Sequence, residues 1–199
     1  MGYLKQAWLV LLLALGFGSA LAGVHIGLSP QIAENKRNET YSQVPNLIPG
    51  AVKTETKEIA MTLGGQQKTV YRAHNAEGEH VGWVLPAKGQ GFADVIELLI
   101  GLSPDASRLT GLYVLDQKET PGLGDKIRSD EQWRSQYEGM ATAERIEVVK
   151  RTPQDQQIEA ITGATVSSQA VTDIINKAVG QFRAAMGEWN QPEGEGGRN

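Results

Sequence analysis

The chain has 199 residues, enough for one globular domain of ordinary size with appendages. Hydrophobic residues make up 40% and charged residues 21%, the balance of a domain with a real core. A formal net charge of -4 argues against nucleic acid as a partner, and the absence of cysteine excludes disulfides, thiolate nucleophiles and cysteine-ligated iron–sulfur clusters.

From Ala7 to Leu28 runs an apolar segment in which His25 is the only ionisable residue. As a helix it rises roughly 33 Å, enough to cross the hydrocarbon core of a bilayer and contact membrane lipid, with Trp8 as an interfacial anchor. Ala20-Leu21-Ala22 also offers a small-x-small cleavage site, so a signal peptide is the competing reading. The apolar run continues past that site through Val24, Ile26 and Leu28, which favours a retained anchor over residues 1–28. Either reading puts the rest of the chain on the periplasmic, extracytoplasmic side of the cell (inner) membrane.

A polar helix or linker is expected over 29–50, with Ser29 as its N-cap, Pro30 in its first turn, and punctuation at Pro45 and Pro49-Gly50. The functional domain is expected over 51–189. Val81, Trp83 and Leu85 alternate on one face of a strand, and Ile96, Leu98 and Ile100 on one face of another. A third strand covers Gly111 to Leu115, and a fourth holds Ile146 and Val148. Ser129-Asp130-Glu131-Gln132 fits a capping box that opens a short helix carrying Trp133 and Tyr137. A longer amphipathic helix starts near Ser167 or Ser168, with Val171, Ile174, Ile175, Ala178, Val179 and Phe182 on its buried stripe. Residues 190–199 are too polar and glycine-rich to fold and are expected as a disordered tail. The class is α+β: a twisted sheet with packed helices behind one membrane span.

Common catalytic signatures are missing. No G-x-G-x-x-G opens a helix, and neither a G-x-x-x-x-G-K-[ST] loop nor a G-x-S-x-G elbow occurs. His25, His74 and His80 are scattered, without metal-ligand spacing. A hydrolase built on Glu119, Asp125 or Glu159 would lack a paired base or metal. Two segments remain. Lys118 to Lys126 is a loop whose Gly122 and Gly124 let backbone approach a ligand closely; a plain surface turn is the other reading. Glu159 to Ser168 gathers small residues and hydroxyls at the start of the long helix, where free N–H groups and the positive dipole end form a natural phosphate cradle. Ordinary capping by Thr165, Ser167 or Ser168 competes with that reading.

Together these segments resemble the flavin-binding domain shared by the G subunit of the Rnf (Rsx) electron-transport complex and the C subunit of the Na⁺-translocating NADH:quinone reductase. In that family an acidic residue, two further residues and [Ser/Thr]-Gly-Ala-[Thr/Ser] form the attachment site for flavin mononucleotide (FMN). Glu159-x-x-Thr162-Gly163-Ala164-Thr165 fits it, with Glu where Asp is more frequent, and Glu119-Thr120-Pro121-Gly122-Leu123-Gly124 is a second hallmark. The similarity covers nearly the whole chain apart from its last ten or so residues, and length favours the Rnf G subunit.

The resemblance implies a phosphoester between Thr165 and the flavin's terminal phosphate, installed by a dedicated flavin transferase. Thr162, Gly163, Ala164, Ser167 and Ser168 would surround the attachment, and Glu119, Thr120, Gly122, Leu123 and Gly124 would lie against the flavin. The implied function is electron transfer within an ion-translocating oxidoreductase complex that exchanges electrons between ferredoxin and NAD, alongside other membrane and peripheral subunits. The competing readings are the quinone-reductase C subunit and a membrane-tethered binding module without a redox group.

Overall fold

The computed structural model describes residues 2–189; the expected tail at 190–199 lies outside the described residues. The chain forms two compact units, Met1–Glu39 and Thr40–Asn199.

The first unit belongs to helix α1, Gly2–Leu47. Its apolar side chains from Trp8 through Leu28 are exposed, and it is long and apolar enough to cross a membrane. No new helix begins at Ser29. The Ser29 hydroxyl donates to the carbonyl of His25 at 2.6 Å, one turn back, so it bonds within a continuing helix instead of capping another. Pro30 sits inside α1, where it has no amide to donate to the preceding turn.

The second unit is built on a five-stranded antiparallel meander: β1 (Lys57–Leu63), β2 (Gln66–His74), β3 (His80–Gln90), β4 (Val95–Leu102) and β5 (Leu109–Asp116), in that spatial order. Leu63 pairs with Gln66, so Gly64-Gly65 alone turns the first hairpin. Both glycines have positive φ (60° and 78°), as a two-residue turn matched to strand twist requires.

Both faces of the sheet are covered. On one, Trp83, Leu85, Ile96, Leu98 and Ile100 meet the stripe of α4 (Thr165–Trp189), whose Val171, Ile174, Ile175, Ala178, Val179 and Phe182 are buried at the expected spacing. On the other, Tyr71, Ala73, Val84 and Leu99 pack with Val44, Leu47 and Ile48 at the end of α1. Gly82 and Gly101 make room for that chain end. A Cβ at Gly82 would stand 2.8 Å from Ile48 Cγ2, and one at Gly101 would stand 2.7 Å from the Leu47 carbonyl.

Val81 departs from the expected alternation. Ala73 pairs with Gly82 and His74 with His80, so Val81 is the extra residue of a bulge. It packs with the Tyr71 and Val84 cluster, opposite Trp83 and Leu85.

Past β5 come α2 (Lys126–Ser129) and α3 (Glu131–Ser135). The cap of α3 is Asp130, one residue later than the box reading: its carboxylate accepts the Trp133 amide at 2.9 Å. β6 (Glu147–Val149) and β7 (Gln157–Glu159) then pair in parallel. A parallel pair of three residues each is weak. Three side-chain amides supply what that ladder lacks, each gripping both backbone groups of one residue. Gln156 takes the N–H and C=O of Ala141 (3.0 and 2.7 Å), and Asn176 those of Ile146 (3.0 and 2.9 Å). Gln136 accepts the Glu159 amide at 2.7 Å and donates to its carbonyl at 3.5 Å.

Replacing Asn176 by Ala strips both partners from a half-buried peptide and is expected to cost about 1–3 kcal/mol in denaturant unfolding. Asn176→Asp, which keeps the acceptor and loses the donor, should fall between that variant and the wild type.

Candidate functional site

Three segments meet at one end of α4: the β3–β4 turn, the loop after β5, and the segment that leads from β7 into α4. They enclose a cavity of about 450 Å³ whose lining includes Glu119, Thr120, Gly124, Gly163 and Thr165.

The α4 end is held from below. Trp133 Nε1 donates to the Glu159 carbonyl at 2.9 Å, and the Ile161 amide donates to Ser168 Oγ at 3.1 Å. Ser168 in turn donates to the Ala164 carbonyl and Thr172 to the Ser168 carbonyl, at 3.0 and 2.9 Å. With that proton spent, Thr172 Oγ1 can only accept from Tyr137, 2.8 Å away. Burial raises the Tyr137 pKa well above its ordinary value, so this donor stays protonated.

These bonds settle where the hydroxyls go. Ser168 is fully buried and serves Ile161 and Ala164. Ser167 donates to Glu119 Oε2 at 2.6 Å. Neither caps α4, and no protein partner of Thr165 Oγ1 is found among the described residues. The Ala164 carbonyl receives the Ser168 amide at 3.0 Å, which leaves the amides of Thr165, Val166 and Ser167 as the orphan donors of the first turn. Gly163, with φ of 82°, makes the turn that brings the chain into α4.

Glu119 is 4% exposed. Its Oε1 accepts the Ala93 amide at 3.0 Å and its Oε2 the Ser167 hydroxyl, so one carboxylate joins the β3–β4 turn to the first turn of α4. The surrounding backbone must come close for this. A Cβ on Gly124 would stand 2.8 Å from Ser167 Oγ and 2.9 Å from Glu119 Cβ. In the β3–β4 turn, the Val95 amide and then Lys118, at 3.0 Å, hold the Asp94 carboxyl below the usual carboxylate range.

Of the residues singled out from sequence, Glu119, Thr120, Leu123, Gly124, Gly163, Ala164, Thr165 and Ser167 line this cavity. Gly122, with φ of 75°, shapes the loop from outside the lining; Thr162 is exposed beside it, and Ser168 lies beneath. Phe92 and Val166 also line the cavity and carry no sequence signal beyond their neighbours: Phe92 follows Gly91 in a turn, and Val166 follows Thr165.

Gly124→Ala should lower stability by about 1–3 kcal/mol, because the added methyl forces Ser167 and Glu119 apart. Gly180→Ala, in α4 with open space around the site of the new Cβ, should instead stabilise by about 0.5–1 kcal/mol. Thermal unfolding of the two variants against the wild type checks both signs.

Residues 91–180, which contain every segment of the cavity, match the FMN-binding domain family. The G subunit of the ion-translocating oxidoreductase complex of Methanosarcina acetivorans is 37% identical over 117 residues, covering 59% of this chain and 60% of that protein. The G subunit of the Na(+)-translocating ferredoxin:NAD(+) oxidoreductase complex of Acetobacterium woodii is 35% identical over 125 residues, covering 61% and 58%. The chain thus spans less than two thirds of either relative. The crystal structure of Shewanella oneidensis NqrC shares the fold, with a TM-score of 0.53 at 22% identity, covering 70% of this chain and 71% of that one. Residues 91–180 thus resemble the FMN-binding domain family, and the chain is similar to G subunits of ion-translocating oxidoreductase complexes.

Proposed function

We propose that the chain carries FMN as a phosphoester on Thr165 and passes electrons within a membrane-bound ion-translocating oxidoreductase of the Rnf type. The observation that carries this reading is the state of the α4 N-terminus. Thr165 is half-buried at a cavity beside three orphan amides, while Ser167 and Ser168 are engaged elsewhere. An uncapped helix end with a hydroxyl in its first turn suits a phosphate monoester linked through that hydroxyl. The dipole favours such a charge by roughly 0.3–1 kcal/mol. That is too little to retain a cofactor by itself, so the covalent bond holds it and the helix end orients it.

The remaining residues fit the group. Gly163 and Gly124 keep the cavity clear of side chains near the phosphate end. Thr120 is exposed at the lining and offers a hydroxyl, while its carbonyl is already engaged by the amides of Leu123 and Asp125. Bound FMN supplies a centre that takes up and releases one or two electrons. The protein's part is to hold that centre at an open cavity where partner subunits can approach. Helix α1 anchors the chain to the membrane, with the flavin domain on the periplasmic side. Ferredoxin and NAD, with which the Acetobacterium relative's complex is named, would be served by the other subunits. A flavin transferase would install the group.

Wild-type chain and Thr165→Ala, each produced with an active flavin transferase, are to be compared by flavin fluorescence in a denaturing gel. The band should glow only when Thr165 is present. A glow that survives in Thr165→Ala moves the attachment to Thr162 or a neighbouring serine. A dark wild-type band overturns covalent attachment altogether.

A further inference from the structure

Among the described residues from Thr40 onward, the large apolar side chains that stay well exposed are Phe92 (66%), Val95 (41%), Leu123 (46%) and Val166 (57%). They are not scattered. Phe92, Leu123 and Val166 reach the same cavity from three different segments, and Val95 opens β4 three residues after Phe92. A single exposed apolar residue needs no explanation, but a cluster around one cavity does.

Phe92 is the aromatic member, and the turn that carries it is fastened at several points. The Gly91 amide donates to the Asp94 carbonyl at 2.8 Å. The Asp94 carboxylate takes the Val95 amide at 2.7 Å and Lys118 at 3.0 Å. The Ala93 amide reaches Glu119, and a Cβ at Gly91 would stand 2.4 Å from the same carboxylate. An exposed phenyl ring on a pinned turn is pre-organised, with little backbone freedom left to lose when a flat ligand covers it. Glu119 itself has no free oxygen to offer a ligand as an unshared partner, since Ala93 takes one and Ser167 the other.

We propose that Phe92 is the residue against which the isoalloxazine ring of the flavin packs, and that Glu119 is a positioning residue, setting the Phe92 turn relative to the first turn of α4. The proposal rests on the flavin reading above and adds to it the residue that meets the ring. An aromatic face against the ring excludes water from one side of it and fixes its tilt, which attachment through the phosphate leaves free.

The test exploits a difference between indole and phenyl. An indole in van der Waals contact with an excited flavin quenches its emission by electron transfer, whereas a phenyl ring does not. Full-length chain in detergent, produced with an active flavin transferase, is compared as wild type, Phe92→Trp and Gln67→Trp; Gln67 is an exposed β2 residue outside the flavin cavity. At equal band intensity in a denaturing gel, native Phe92→Trp should be several-fold dimmer than wild type and should recover full brightness in denaturant. Gln67→Trp should match the wild type throughout. Equal native brightness of Phe92→Trp and wild type at equal loading overturns the ring contact while leaving covalent attachment standing. A wild-type band that stays dark under denaturation removes the covalent attachment on which this proposal rests, and the proposal with it.

For Glu119, the quench in the Phe92→Trp background should persist in Glu119→Gln, which can still accept from Ala93 and donate to Ser167. It should be relieved in Glu119→Ala. Relief in both variants, or in neither, overturns the positioning role.

Discussion

The site depends on how α4 is seated. Its apolar stripe, from Val171 to Phe182, is buried against Trp83, Leu85, Ile96, Leu98 and Ile100, and that burial fixes the helix across the sheet. Once it is fixed, its N-terminus has one address, beside the β3–β4 turn and the loop that follows β5. The opposite face of the sheet is closed by Val44, Leu47 and Ile48, so the platform under α4 is packed on both sides. The site inherits its rigidity from this layer and not from its own loops.

Within that frame the chain spends its hydroxyls in an unusual way. Three hydroxyl residues crowd the first turn of α4, the composition that ordinarily caps a helix. Here Ser167 is drawn sideways to Glu119 and Ser168 back to Ile161 and Ala164. The helix start is thereby anchored while its leading amides, beside the cavity, have no protein acceptor among the described residues. A capping hydroxyl would have spent part of the electrostatic potential that an anion can use. Glu119 has a matching role at the other wall, where its buried carboxylate joins two turns that share no backbone hydrogen bond with each other among the described residues.

The stretch between β5 and α4 is held by a different device. It has little ladder of its own, and Gln136, Gln156 and Asn176 each take both backbone groups of a residue in it. Two of these clamps bear on the site: Gln136 with Trp133 fixes Glu159, and Asn176 fastens Ile146 to α4 itself. The segment leading into α4 is therefore positioned by side chains from α3 and its following turn as much as by sheet.

Periodicity is enough to place α4, β4, the first half of β3 and the core of β5, because the apolar residues of one face recur at the matching interval even where, as in β3 and β4, the other face is buried too. The apolar span and the two glycine-containing loops were equally legible, since they are local in sequence. β1 and β2 are not among the expected elements, although Ile59, Met61 and Leu63 alternate in β1 and Gly64-Gly65 is a readable hairpin signal between the two strands. The bulge at Val81, the unbroken passage of α1 through Pro30 and the amide clamps could not be read in advance. Each is decided by a partner distant in the chain or by a helix already running, not by the local residues. Residue order alone is enough to gather small residues and hydroxyls at the start of α4 and to locate the apolar stripes. That Ser167 and Ser168 turn away from the helix start, that Thr165 remains at the cavity, and that Phe92 stands beside it follow from the folded arrangement, because they depend on which distant backbone and carboxylate groups arrive within hydrogen-bonding reach.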